Sequence, residues 1–204
     1  MRVQIAVFDG FDEIDVFGTF EPLAVAGVDV ELARAGGAGE VASARGIKVG
    51  VDVDLGAGSA IDGVVIPGGG WLTRSPVGAW AEVQRGDLLR AIIEVRATVD
   101  WLASVCAGGM VLAHTGLLAG RHATTNRNCF DEFRPLVGTL VDARVVDDGD
   151  VITAGALTSG LDLGLHLVQR FLGREAAEEA SRKLEYPAGT VWTDPACVTG
   201  EATG

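Results

Sequence analysis

The chain has few of the residues that build covalent or metal-based scaffolds. It contains 3 cysteines and 3 histidines in 204 residues, and Cys106, Cys129 and Cys197 are far apart. An odd number of distant cysteines argues against a disulfide framework and favours a reducing compartment. No cysteine and histidine pair has the spacing of a zinc site. We therefore predict neither a bound metal nor a cofactor.

Lysine and long apolar runs are also scarce. The chain has two lysines, Lys48 and Lys183, and a formal net charge of −12. It lacks the basic patch that binds nucleic acid and the cationic helix face that binds membrane surfaces. No apolar run approaches the roughly 20 residues of a membrane span, and the N-terminus resembles a first strand rather than a signal peptide. These absences predict a soluble cytoplasmic protein with no nucleic-acid or membrane partner.

What the sequence does contain is an alternation of short apolar runs and helical periodicities. Buried strands are predicted at 3–8, 28–33, 63–67 and 99–105, and helices at 11–26, 88–97, 110–114, 160–172 and 174–184. Such alternation is typical of an α/β fold with a mostly parallel central sheet. The pattern predicts a small hairpin over 41–53 and another around the Asp-Gly pair at 148–149. We expect one domain over 1–187 and a tail, 188–204, without regular structure.

The segment around Cys106 is the strongest functional signal. A β-prone run ends at Val105, and Cys106 is followed by Ala107, two glycines and a helical segment. A nucleophile at a tight strand-to-helix turn flanked by small residues is the elbow geometry of α/β-hydrolases. The following helix should direct free N–H groups at the sulfur and lower its pKa. We therefore interpret Cys106 as a reactive thiol rather than a buried apolar side chain.

Two further features fall at the same predicted sheet edge. Asp15 follows the first strand, and Gly69 and Gly70 follow the strand that ends near Pro67. Open α/β sheets bind ligands at this edge, and glycines allow backbone N–H groups to face a ligand. On pattern alone, Asp15 and Glu21 are typical of solvated helix carboxylates, and a glycine triplet is a weak signal.

Taken together, the motifs resemble the ThiJ/PfpI superfamily, and most closely its isocyanide hydratases and the sensor domains of AraC-type regulators. The matching segments are IDVFG (14–18), IPGG (66–69), ASVCAG (103–108), GLLAGRHATT (116–125), DG (148–149), TAG (153–155) and SGLD (159–162). The resemblance implies a flavodoxin-like (class I glutamine amidotransferase-like) sandwich and a homodimer. It also implies that Cys106 is the nucleophile, with Asp15 beside it. The N–H groups of Gly69 and Ala107 would form an oxyanion-hole-like cradle.

Three positions depart from the family pattern. Ala107 replaces the histidine of protease-like members and the threonine of many isocyanide hydratases, and Asn126-Arg127 replaces a His-Trp pair. The pocket wall at Asn126 is therefore altered relative to the family pattern. We include Asn126 with Gly70 among the candidate substrate-binding residues.

Three functions follow as hypotheses. The first is a lyase that hydrates a small electrophile, with an isocyanide giving an N-substituted formamide: Cys106 adds to carbon and Asp15 moves the proton. The second is a non-catalytic ligand or oxidation sensor, and the third is a glyoxalase or deglycase acting on α-oxoaldehydes. His114, His122 and His166 are assigned structural or surface roles, although His122 could complete a triad if the fold brings it to Cys106.

Aromatic residues near the loops leave one point open. Phe11, Trp71 and Trp80 could line a pocket or an interface, or they could belong to the core.

Overall fold

The structure of the protein is a computed structural model that describes residues 1–58 and 60–187, together with the backbone of residues 191–193. Its strands are β1 (Arg2–Ala6), β2 (Asp29–Arg34), β3 (Gly39–Ala42), β4 (Lys48–Val51), β5 (Val53–Asp54), β6 (Gly63–Ile66), β7 (Trp101–Val105), β8 (His122–Ala123), β9 (Thr139–Leu140), β10 (Val145–Asp147), β11 (Val151–Ala154) and β12 (Val191–Thr193). Its α-helices are α1 (Glu13–Val25), α2 (Ala79–Arg85), α3 (Asp87–Arg96), α4 (Gly108–His114), α5 (Phe130–Phe133), α6 (Ser159–Leu172) and α7 (Arg174–Lys183).

The main sheet has the predicted, mostly parallel character. Within the described residues it contains eight strands in the order β12-β10-β11-β7-β6-β1-β2-β5. Its neighbouring strands are parallel except for the β10–β11 hairpin. That hairpin turns at Gly149, which has φ 84°, and Asp148 N donates to Val151 O at 2.9 Å. The second predicted hairpin is formed by β3 and β4. The α/β fold class is therefore confirmed.

Helices cover both faces of this sheet. Every residue of β6, β7 and β11 is buried, as expected of parallel strands that have helices on each side. One layer contains α1, α6 and α7, which pack on one another, and the other contains α2, α3 and α4. Each fully buried Val, Leu or Ile in this core contributes roughly 1.5–3 kcal/mol. No helix in the described part of the chain is long and apolar enough to span a membrane.

Three segments differ from the sequence-based expectation. The tail contains β12, which pairs with β10 in parallel, so part of 188–204 has regular structure. At residues 129–137 the sequence pattern predicts a helical stretch interrupted by Pro135. The structure has α5 between two 3₁₀ turns there, and Pro135 occupies the second turn. Helix α2 was not predicted. Residues 188–190 and 194–204, including Cys197, lie outside the described residues.

The turn between β7 and α4 packs unusually closely against the end of β6. A Cβ placed on Gly108 would lie 2.0 Å from the carbonyl oxygen of Ile66 and 2.9 Å from that of Pro67. Both neighbours are backbone atoms and cannot move away independently. Glycine at 108 therefore sets the distance between the Cys106 turn and the loop that follows β6.

We expect Gly108→Ala to lower the free energy of unfolding by about 1–3 kcal/mol, since the added methyl group overpacks this contact. Urea unfolding followed by circular dichroism measures the change. Gly50→Ala is the matched control, because a Cβ at Gly50 meets nothing within 4 Å. Equal stability of the two variants would show that the close approach does not constrain the fold.

Candidate active site

Cys106 occupies a sharp turn whose backbone conformation is rare for a residue with a side chain. Its φ is 55°, in the left-handed region. Its N–H donates to the carbonyls of Ala154 and Gly155 at 3.1 and 2.8 Å, and its carbonyl accepts from the Thr125 hydroxyl at 2.7 Å. Hydrogen bonds on both sides thus hold a conformation that costs of order 1–3 kcal/mol. Strain of this kind is concentrated at functional sites, and it confirms the elbow geometry expected from the sequence.

The sulfur of Cys106 is surrounded by donors. The side-chain amide of Asn126 donates to Sγ at 3.3 Å. The backbone N–H groups of Ala107 and Leu157 are also directed at the sulfur. Leu157 was not singled out from the sequence. Leu157 lies in the loop between β11 and α6 with a left-handed φ of 47°, and no sequence motif reports such a conformation.

Asp15 lies behind the sulfur, completely buried. Its Oδ2 accepts from the N–H of Gly68 at 2.9 Å. Among the described residues, Oδ1 has no conventional hydrogen bond, and the groups that approach the carboxyl are the Cys106 thiol and the Leu157 N–H. The helix α1 that carries Asp15 begins after the N-cap Asp12, whose side chain accepts from Ile14 N at 3.0 Å. The fold therefore brings the two predicted catalytic residues together.

The glycine loop after β6 forms one wall of the site. Gly69 has φ 125°, and a Cβ there would lie 2.2 Å from the carbonyl oxygen of Gly10. Gly69 and Gly70 line the open side of the site, whereas Gly68 faces Asp15. The contact of this loop with Asp15 is thus made by Gly68, one residue before the pair selected from the sequence.

A cleft of about 380 Å³ opens above the sulfur. Its lining consists of Asp12, Arg45, Gly69, Gly70, Trp71, Leu72, Thr73, Cys106, Ala107, Asn126, Cys129 and Leu157. All of the predicted site residues except Asp15 contribute to it. Trp71 is a wall of the cleft, with Trp80 against its ring at 5.2 Å, whereas Phe11 is fully buried in the core.

An ion-pair cluster forms the rim of the cleft on the α1 side. Arg45 binds Asp12 at 3.2 Å and Glu13 at 2.6 Å. Burial raises the pKa of Glu13, but hydrogen bonds from the Ser43 hydroxyl and from the backbone and side chain of Arg45 outweigh it and lower the pKa to about 2. Arg45 lies in the β3–β4 hairpin, far from Cys106 in sequence, and nothing in the local pattern identified it as a cleft residue.

The two acids at the centre of the site lack such compensation. Burial raises the pKa of Asp15 to about 8, and the charge of Asp12 adds to the shift. Burial and the neighbouring Asp15 raise the pKa of Cys106 to about 12, despite the donors of Asn126, Ala107 and Leu157. The predicted lowering of the Cys106 pKa is therefore wrong, because the cost of removing water from the thiolate exceeds its stabilisation by the N–H groups of the turn. At neutral pH both groups carry a proton.

The histidines lie elsewhere. His114 Nδ1 lies 2.8 Å from the Met110 carbonyl oxygen, His122 contacts Asp148 at 3.1 Å, and His166 contacts Asp147 at 2.6 Å. None of them lines the cleft, so the described residues offer no Cys–His pair at Cys106. The same part of the chain has no cluster of three or more His, Cys, Asp or Glu side chains that could hold a metal ion.

Comparison with known proteins agrees with this architecture. Residues 1–170 match the model of the DJ-1/PfpI family. An isonitrile hydratase from Pseudomonas putida is 32% identical over 169 residues, covering 79% of this chain and 71% of that protein. The HTH-type transcriptional regulator CdhR from Pseudomonas aeruginosa is 30% identical over 145 residues, covering 62% of this chain and 43% of the regulator.

A solved structure shows the same fold. A ThiJ/PfpI family protein from Pseudomonas syringae superposes with a TM-score of 0.79 at 25% identity, covering 93% of this chain and 76% of that one. The family match covers most of the chain and includes the Cys106 turn, Asp15 and the glycine loop. The chain therefore belongs to the DJ-1/PfpI family.

Proposed function

We propose that the protein is a cysteine-dependent lyase that adds water to a small electrophile, with an isocyanide as the first candidate. The observation that carries this proposal is the position of the Cys106 thiol between the buried carboxyl of Asp15, whose pKa is raised, and the side-chain amide of Asn126. The similarity to an isonitrile hydratase supports the choice of substrate class. The apolar cleft walls, Trp71, Leu72 and Leu157, suit an alkyl or aryl substituent.

The first chemical step would be addition of Cys106 to the isocyanide carbon. The sulfur–carbon bond forms as the thiol loses its proton, and the carbon receives a proton, which gives an S-linked thioimidate. Because Asp15 is next to the thiol and is itself protonated, it can donate to the carbon while it accepts from sulfur. No net charge is created in the dehydrated site.

The second step would release the product. Water adds to the thioimidate carbon, the carbon–sulfur bond breaks, and the sulfur recovers its proton, leaving an N-substituted formamide. Asn126 lines the cleft and contacts the sulfur, so its amide is placed to orient this water. The backbone N–H groups of Ala107 and Leu157 would stabilise charge that develops beside the sulfur.

One feature favours a second candidate function, a sensor that reacts once. Asp15 is completely buried and does not line the cleft, so a water molecule on the cleft side does not contact it directly. If the thioimidate is not hydrolysed, Cys106 would remain modified. The two functions therefore differ in whether one protein molecule converts many molecules of the electrophile.

We expect purified protein to convert cyclohexyl isocyanide to the formamide over many turnovers, measured by chromatography. Cys106→Ala should abolish turnover. Asp15→Asn should lower the rate by about 10²–10⁴, the usual contribution of general acid–base catalysis. Glu21→Gln, an exposed carboxylate on the same helix, is the control and should retain the wild-type rate.

A stoichiometric burst with a persistent adduct on Cys106 would instead establish the sensor function. Lactate formation from methylglyoxal without formamide production would point to glyoxalase chemistry. Equal rates for wild type and Asp15→Asn would remove Asp15 from the mechanism.

The buried carboxyl of Asp15 should make stability depend on pH. The folded state holds the Asp15 proton up to about pH 8, whereas the unfolded chain releases it near pH 4. Between these values the folded state binds more protons, so the stability contributed by protonated Asp15 is lost as pH rises. The stability difference between wild type and Asp15→Asn should fall by up to about 1.4 kcal/mol per pH unit from pH 5 to 8.

Urea unfolding of wild type, Asp15→Asn and Glu21→Gln at several pH values measures this difference. The contributions of other titratable groups to the pH dependence cancel when the variants are compared. A difference that stays constant from pH 5 to 8 would mean that Asp15 is ionised in the folded protein.

We also propose that the protein is a homodimer. Ile14 and Phe17 on α1 are 45% and 39% exposed, and Leu157 is 39% exposed. Gly160, close to Leu157 in the chain, packs against the backbone of Ile14 and Asp15. These apolar side chains therefore form one exposed surface next to the Cys106 site, and such surfaces are typical of protein–protein contacts.

Light scattering should give twice the chain mass of 21.1 kDa for the wild type. Phe17→Glu should shift the protein toward monomer, because it places a charge in the apolar surface. Ile93→Glu on α3, where Ile93 is 50% exposed, is the matched control and should remain dimeric. A monomeric wild type would refute the proposal.

A further inference from the structure

A second thiol lies in the same cleft as Cys106. Cys129 is a lining residue of the cleft, although only 1% of its surface is exposed, and both cysteines are free. The proposed hydration does not use it.

Local backbone structure places Cys129 beside the residue that contacts Cys106. Residues 127–129 form a 3₁₀ turn that begins at Asn126, and Cys129 N donates to Asn126 O at 2.7 Å. The Asn126 and Cys129 side chains both line the cleft, and the Asn126 amide lies 3.3 Å from the Cys106 sulfur.

The helix that follows Cys129 is fastened to the opposite wall of the cleft. Glu132 on α5 accepts from the indole N–H of Trp71 at 3.3 Å and from Arg74 at 2.5 Å. Both partners belong to the loop after β6. These contacts keep the 126–129 turn facing the cleft, while the turn itself is not part of any sheet and can shift without breaking strand pairing.

We propose that Cys129 is a resolving thiol for Cys106, which forms an intramolecular disulfide with it after oxidation by a hydroperoxide. In the first step, the Cys106 sulfur attacks the peroxide oxygen and becomes a sulfenic acid, and one water or alcohol leaves. In the second, the Cys129 sulfur attacks the Cys106 sulfur, and the departing hydroxyl leaves as water with the thiol proton. The two thiols supply the two electrons that reduce the peroxide.

The order of oxidation follows from access. Cys106 is 6% exposed, whereas Cys129 is 1% exposed. Burial raises the pKa of both thiols, so access rather than thiolate character sets the order. Formation of the disulfide requires the 126–129 turn to bring Cys129 to a Cα–Cα separation of about 4.4–6.8 Å from Cys106. Asn126 then gives up its contact with Sγ. The disulfide would protect Cys106 from irreversible oxidation to the sulfinic acid and could be reversed by a dithiol.

The experiment uses Cys197→Ser protein, which retains these two thiols alone. It is treated with hydrogen peroxide, free thiols are alkylated, and the protein is digested with trypsin. The sequence places Cys106 in the tryptic peptide 97–121 and Cys129 in 128–144, since cleavage does not occur before Pro135. We expect a disulfide to join these two peptides. The protein should run as a single chain on a non-reducing gel, and dithiothreitol should restore both free thiols.

Adding Cys129→Ser should divert Cys106 to the sulfinic acid, which dithiothreitol does not reverse. Cys129→Ala is made in parallel, and circular dichroism establishes that each variant is folded. The proposal is overturned if Cys197→Ser protein accumulates the Cys106 sulfinic acid while Cys129 remains free to be alkylated. This readout is independent of hydratase activity, so it stands or falls separately from the proposed function.

Discussion

The site depends on one backbone constraint, the left-handed conformation of Cys106 at the end of β7. The carbonyls at the end of β11 accept a hydrogen bond from the Cys106 N–H, and the Thr125 hydroxyl donates one to the Cys106 carbonyl. Gly108, which has no side chain, allows the next turn to approach β6. A residue with a side chain adopts this conformation only when its surroundings compensate the strain. The result is a buried sulfur at the sheet edge that lines the cleft, within reach of groups from several loops and from α1.

Solvation then decides the chemistry that this sulfur can perform. Within one turn of α1, two carboxyl groups have pKa shifts of opposite sign: Glu13 has a pKa of about 2 and Asp15 of about 8. Glu13 is compensated by Arg45 and Ser43, whereas Asp15 has the backbone N–H groups of Gly68 and Leu157 and the protonated Cys106 thiol for neighbours. The centre of the site is therefore neutral and proton-rich, which suits proton transfer during addition to carbon better than attack by a permanent thiolate.

The elements of the fold could largely be predicted from the sequence, because they follow from local periodicity. The buried strands, the long helices and the Asp-Gly hairpin depend on patterns a few residues long, and the cysteine elbow depends on small residues next to a nucleophile. The prediction failed where distant contacts dominate. Strand β12 forms because β10 offers it an edge, and the Cys106 pKa rises because the fold removes water and places Asp15 beside the thiol.

By itself, the sequence determined the α/β class and the family resemblance, and it singled out Cys106 and Asp15 as the candidate nucleophile and acid, because residue type and short spacing carry that information. Tertiary structure alone decided that Gly68 rather than Gly69 contacts Asp15 and that Arg45, Leu157 and Cys129 join the site. These groups converge from separate loops at one sheet edge, and their burial there determines which protons they hold. Neither convergence nor dehydration is a property of any local stretch of sequence.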